Sequence, residues 1–222
     1  MLEKLTKPFL QLPLVVLFSA TLFSIPGSFA QENFDIIIKG GRIVDGSGNP
    51  WYMADVGIVG ERIISIGNLD GANATQTVDA TGLTVTPGFI DPHTHALQGI
   101  FDVPNAESSL LQGVTTLTEG NDGSSPFPIA KHYEEIAAKK ISPNWAVFVG
   151  QGTIRELVIG KEDREATAAE MTKMKQMVRE AMMQGALGIS TGLFYVPGSF
   201  TSTEEVIELS KIAAQYDGIY IS

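Results

Sequence analysis

From Phe34 to about residue 86, short runs of β-branched residues alternate with polar positions and break at glycines. FDIIIKGGRIVDGSG predicts two strands around Gly40-Gly41. ADVGIVGERIISIG predicts a pair turning at Gly60-Glu61, and TVDATGLTVTPG a third set. Strands this closely spaced, with turn residues between them, point to a small antiparallel sheet or sandwich. Residues 31–86 are therefore expected to be the N-terminal part of a small β-sandwich domain.

The rhythm changes after Pro87. GFIDPHTH predicts a buried strand, and residues 106–112 a short helix. VTTLTEGND is a strand, and PIAKHYEEIAAKK a helix of 3.6 periodicity. NWAVFVGQG is a strand, and a long helix runs from about Thr167 to Gln184. Along it, Met171, Met174, Val178 and Met182 form a stripe at helical spacing, which is core packing. ALGISTG is a strand, EEVIELSKIAAQY a helix, and GIYIS a further strand. Thr167 with Glu170, and Ser202 with Glu205, have the spacing of capping boxes. Strands alternating with helices predict a parallel α/β sheet joined by right-handed crossovers. A (β/α)8 barrel needs about 250 residues, and its first five strands fit this spacing. The expectation for residues 87–222 is the first part of such a barrel, truncated.

The first thirty residues stand outside both patterns. Lys4 and Lys7 make a basic start, FLQLPLVVLFSATLFSI is a nearly uncharged apolar run, and Ser28-Phe29-Ala30 places small residues where a signal peptidase reads. Residues 1–30 are expected to be a signal peptide, cleaved between Ala30 and Gln31, with export to the periplasm or beyond. An uncleaved anchor is the alternative, because the run is almost long enough to span a membrane. A net charge of −10 argues against nucleic acid or an anionic membrane surface as partners. No stable membrane association is expected once the leader is gone. The absence of cysteine excludes a disulfide scaffold, a cysteine nucleophile and a lipoprotein anchor.

Two of the three histidines, His93 and His95, flank a single threonine in PGFIDPHTHA. On a strand, residues two apart face one way, so Asp91, His93 and His95 would share a face. Their side chains would start about 7 Å apart, twice the strand rise, and imidazoles can converge from there onto one ion. They also sit at the C-terminal end of the first barrel strand, the face where barrel enzymes keep their chemistry. The third histidine, His132, lies inside a helix beside Tyr133 and Glu134 and is expected to be exposed, without a site role.

With these motifs in order, the chain resembles the amidohydrolase superfamily: DIIIKGGRIVDGSGNP in a small β-domain, then PGFIDPHTH opening a barrel. More narrowly, GVTTLTEGNDG, VGQGTIRELVIG and GALGISTGLFYVPGSFTSTEEVIELSK resemble the N-acyl-D-amino-acid deacylases (D-aminoacylases), from about Phe34 to Ser222. The resemblance implies one or two zinc ions, with His93 and His95 as ligands. The family's ligand from the second strand is a cysteine in an Asn-Cys-Gly setting. Here Asn121-Asp122-Gly123 puts Asp122 at that place. A carboxylate binds zinc at about 2.0–2.2 Å, though a harder donor shifts metal preference. Asp122 also suits a turn in NDGSSP. ALGISTG has no lysine, unlike superfamily members that bridge two metals with a modified one, and Gln151 stands where relatives have histidine. Phe194 and Tyr195 follow the fourth strand in a loop that shapes the substrate pocket in the family. The implied substrate is a small N-acyl-D-amino acid. The implied general base is an aspartate on the last strand, and two further histidine ligands come from strands five and six, all beyond Ser222. The chain is thus expected to be an incomplete fragment, inactive alone. The alternatives are a non-catalytic remnant, or a cyclic-amide hydrolase of hydantoinase type, against which the missing lysine weighs.

Overall fold

The computed structural model describes residues 33–222; the predicted leader, residues 1–30, lies outside the described residues. These residues divide into two compact units, one formed by residues 33–44 and 49–85, the other by residues 45–48 and 86–222.

The first unit is one five-stranded sheet. Its strands are β1 (Asn33–Ile43), β2 (Tyr52–Val59), β3 (Arg62–Gly67), β4 (Asn73–Asp79) and β5 (Thr84–Val85), in the order β3-β2-β1-β4, with β5 also paired to β1. The β2–β3 hairpin turns at Gly60-Glu61, as the pattern predicts. Two expectations fail. Gly40-Gly41 does not reverse the chain: β1 runs straight through, and its register with β2 slips between Ile38 and Gly41. The Asp55 carboxylate accepts the Gly40 N–H at 2.8 Å, so the extra residue is absorbed as a bulge with its donor satisfied. Nor is the sheet antiparallel throughout, since β4 and β5 run parallel to β1. Phe34, Ile37 and Leu69 form its buried core.

The second unit alternates strands and helices. The strands are β6 (Phe89–Asp91), β7 (Val114–Glu119), β8 (Asn144–Val147), β9 (Val149–Gly150), β10 (Gly188–Ser190) and β11 (Ile219–Ile221). The helices are α1 (Glu107–Leu110), α2 (Ile129–Lys139), α3 (Gln151–Val158), α4 (Ala168–Met183) and α5 (Thr203–Ala214). Only Phe148 separates β8 from β9, so the strands occupy five successive positions, all parallel. This is a partial (β/α) barrel. Met174, Val178 and Met182 of α4 are buried against Val147, Val149, Ile189, Leu209 and Ile212, with Met171 packed at the margin. Fully burying side chains of this kind is worth about 1.5–3 kcal/mol each.

The two helix starts predicted from capping boxes differ. At α4 the box is complete: Thr167 Oγ1 accepts from Glu170 N, and Glu170 accepts from Thr167 N at 2.8 Å. At α5 only half forms. Ser202 Oγ accepts from Glu205 N at 3.2 Å, but the Glu205 carboxylate turns inward. There it accepts from Arg155 Nη1 at 2.5 Å and from Gln151 Nε2 at 2.7 Å. All three side chains are buried. Arg155 and Gln151 lie on α3, a helix the sequence pattern did not predict. The ion pair therefore ties α3 to the first turn of α5. Burial pushes the Glu205 carboxyl above its usual range, against the opposing pull of Gln151 and Arg155.

His132 is a further correction. It is 3% exposed, not a surface residue. Its Nε2 accepts the indole N–H of Trp145 at 2.9 Å, and Phe101 packs edge-on to its ring. Burial lowers its pKa, with the nearby Glu135 charge opposing.

Two outcomes are expected. Arg155→Ala strands the Glu205 carboxylate in the interior and should cost about 3–5 kcal/mol in denaturant unfolding. The double change Arg155→Met with Glu205→Leu should recover most of that loss. His132 should titrate, by NMR of its ring protons, below the ordinary imidazole value of about 6.5. Because its folded pKa is depressed, the unfolded chain takes up the proton first. Stability from this group should be intact above about 6.5 and fall as pH drops below it. A midpoint at or above the ordinary value would contradict this.

Candidate metal centre

Pro92 has no N–H to donate, and β6 ends one residue before it, at Asp91. His93 and His95 accordingly lie beyond the strand and not on it, so the shared-face argument from strand parity does not apply. What brings them together is a tight turn. Asp91 Oδ1 accepts from His93 N at 3.1 Å, and His95 caps a single 3-10 turn at Ala96–Gln98. The imidazole centroids are 5.3 Å apart.

Asp122 reaches the same point from the next strand. The chain leaves β7 at Gly120, whose φ is +80°, a conformation open to glycine. A Cβ there would also lie 2.1 Å from Phe148 O. Asp122 is itself left-handed at φ +55°, which aspartate tolerates better than most residues. Gly192 passes so near that a Cβ on it would stand 2.0 Å from Asp122 O. The Ser190 hydroxyl of β10 donates to Gly120 O and accepts from Gly123 N, holding the turn from the other side.

The result is a convergence of donors. Asp122 Oδ2 lies 3.3 Å from His93 Nε2 and 3.4 Å from His95 Nε2. One donor atom from each of the three residues falls within 4.8 Å of the others. Two donors about 2.1 Å from one tetrahedral ion stand about 3.4 Å apart, the separation of both Asp122–histidine pairs. Two imidazole nitrogens and a carboxylate oxygen are also donors that zinc accepts.

Beside them opens a cavity of about 420 Å³, lined among others by His95, Glu119, Asp122, Thr153, Glu156 and Tyr195. Of the two aromatic residues expected at the pocket, Tyr195 lines it, whereas Phe194 is 90% exposed and stacks edge-on against Tyr195 outside it. Gln151 is wholly buried, bonded to Thr201 and Glu205, and does not line the cavity.

Sequence reasoning missed Glu119. It is 3% exposed at the end of β7, and its Oε1 accepts from Thr94 Oγ1 and from Ala96 N. Burial raises its pKa, partly offset by those hydrogen bonds. A signal was present: a charged residue closing a strand of β-branched and apolar residues, one step before the glycine turn.

Comparison with known proteins places the chain. The model of the amidohydrolase family matches residues 76–214. The D-aminoacylase of Alcaligenes xylosoxydans xylosoxydans is 37% identical over 213 residues, covering 86% of this chain and 44% of that protein. The N-acyl-D-glutamate deacylase of the same organism is 34% identical, again over 86% and 44%. Among solved structures, a Bordetella bronchiseptica N-acyl-D-glutamate deacylase complexed with zinc and a phosphonate inhibitor superposes with a TM-score of 0.80 at 32% identity, over 85% of this chain and 44% of that one. A D-aminoacylase crystal structure superposes at 0.76 with 36% identity, over 84% and 44%. The chain thus spans about 44% of the length of the relatives it matches.

Proposed function

The chain belongs to the amidohydrolase family, and from that premise we propose that the protein is a zinc-dependent hydrolase that splits N-acyl-D-amino acids into a carboxylate and a free D-amino acid. The observation that carries this reading is the meeting of His93, His95 and Asp122 in one turn-to-turn contact beside a cavity. The relatives that act on N-acyl-D-amino acids, and the zinc held by one of them, support the substrate and the metal.

His93, His95 and Asp122 would hold the ion. A zinc ion there supplies Lewis acidity, which polarises an acyl carbonyl and makes water a nucleophile near neutral pH. The chain's own residues shape where the substrate can lie. Tyr195 and the Val196-Pro197-Gly198 segment form one wall of the cavity, and Gly152, Thr153 and Glu156 another. When the amide C–N bond breaks, the leaving nitrogen needs a proton from a positioned acid. That group is expected to be the aspartate implied by the resemblance, outside these residues. The basic start, apolar run and Ser28-Phe29-Ala30 site support export, with the mature chain beginning at Gln31. Among the described residues no helix is long and apolar enough to cross a membrane.

In the full-length protein supplied with zinc, free D-amino acid should be released from N-acetyl-D-amino acids and not from their L-enantiomers. Removal of the metal by a chelator should abolish turnover, and zinc should restore it. His93→Ala and Asp122→Ala should each lower kcat/KM by about 100-fold or more, the loss of several kcal/mol of transition-state stabilisation. Turnover indifferent to the chelator would remove the metal from the mechanism, and silence on every D-substrate would remove the substrate class.

A further inference from the structure

His95 is the most open of the three donors, with 73% of its side chain exposed, and its imidazole meets Asp122 only at 3.4 Å. The His93 ring, 5.3 Å away, and the Asp122 carboxylate stand beside it, but both are themselves donors of the site. The hold on its place comes from the backbone on either side of it. Thr94 Oγ1 donates to Glu119 Oε1 at 2.5 Å, and Ala96 N donates to the same oxygen at 2.5 Å. One carboxylate oxygen thus brackets His95, gripping the residue before it and the residue after it.

The bracket is reinforced from the same strand end. Thr94 N donates to Thr118 O at 3.1 Å, the single hydroxyl proton that Thr94 Oγ1 gives to Glu119 also lies within reach of Thr118 O at 2.8 Å, and Asn121 Nδ2 donates to Thr94 O at 3.1 Å. Thr94, Thr118, Glu119 and Asn121 are all buried. Among the described residues, the hydrogen-bonded partners of the Glu119 carboxylate are all on this loop, Thr94, Ala96 and Leu97, and its charge also acts on His95 between them. A buried carboxylate is expensive to keep unless it is fully used. Asp122 follows three residues later on the same stretch of chain. The distance from its carboxylate to the His95 ring is therefore set within one short segment that carries both the ligand and the grip on its partner.

We infer that Glu119 is a positioning residue for the metal centre, holding His95 in ligating geometry through Thr94 and Ala96. This rests on the metal reading above and extends it to a residue outside the ligand set that lines the cavity beside it. Partners that orient ligands in this way are typically worth about 10–100-fold in metal affinity.

The test measures zinc affinity of the metal-stripped full-length protein by competition with a chromophoric chelator, and records the visible spectrum of the cobalt form. Glu119→Ala should weaken zinc binding by about 10–100-fold and alter the cobalt bands. Glu119→Gln, whose carbonyl oxygen can still accept both bonds, should stay within about 3-fold of the unsubstituted protein, a rescue set by acceptor geometry and not by charge. Thr94→Val is nearly isosteric and removes one arm of the bracket, so it tests the idea even if Glu119→Ala does not fold. It should fall between the other two. Unchanged affinity in Glu119→Ala or in Thr94→Val, or a Gln variant as weak as the Ala variant, would overturn the positioning role while leaving the metal site standing. Failure of the unsubstituted protein to bind zinc would overturn the metal reading, and this inference with it.

Discussion

Where β7 gives way to the turn at Gly120, the backbone passes Phe148 and Gly192 with no room for a side chain at either contact. Backbone against backbone at such range is rigid, because any displacement meets hard repulsion rather than a flexible side chain. That rigidity is what lets a four-residue turn deliver Asp122 to a fixed point beside two imidazoles carried by a different loop. The hydroxyl of Ser190 completes the arrangement by bonding to both Gly120 and Gly123, so three consecutive strand ends share responsibility for one carboxylate. The cavity wall follows from the same contacts, since Gly120, Gly123, Gly192 and Gly198 all face it.

Much of the fold could be read from the chain. The alternation of strand and helix after Pro87, the stripe on α4 and the complete capping box at Thr167 are local features, and local features fix local structure. The histidine pair was legible as chemistry because two of only three histidines stand together. Its geometry was read for the wrong reason, because Pro92 ends the ladder and a turn replaces the strand face. The errors elsewhere share a cause. His132 looked exposed from its charged and polar neighbours, yet its burial is decided by Trp145 thirteen positions away. Glu205 looked like a cap, yet Arg155 fifty positions away draws it inside. Glu119 passed as an ordinary strand end for the same reason: its partners sit on the preceding loop. Burial of a polar group depends on what meets it in space, and a linear pattern does not carry that.

Two buried polar networks divide the labour of the second unit. Arg155, Glu205 and Gln151 join helices, and their strength lies in the pairing of the two charges, since Arg155 Nε and Gln151 Oε1 find no partner among the described residues: removing one charge leaves the other without compensation. Glu119, Thr94 and Asn121 join a loop to a strand end, and they act on direction more than on cohesion. The first network sits under the helices, the second beside the metal ligands. Stability and chemistry are thus assigned to different carboxylates within one fold, so a substitution in either network has a distinguishable signature.

The tryptophans carry a consequence of their own. The chain has two. Trp51 belongs to the first unit, 55% exposed with the Arg42 guanidinium 4.6 Å over its ring. Trp145 belongs to the second, partly buried, with its indole N–H committed to His132. Each unit therefore contains one tryptophan in a different electrostatic setting, a cation above the ring in one and a titratable acceptor at the nitrogen in the other. Replacing either tryptophan with phenylalanine leaves tryptophan emission, excited selectively over the tyrosines, from a single unit, so the protein is already labelled for following the two separately as they melt or respond to acid.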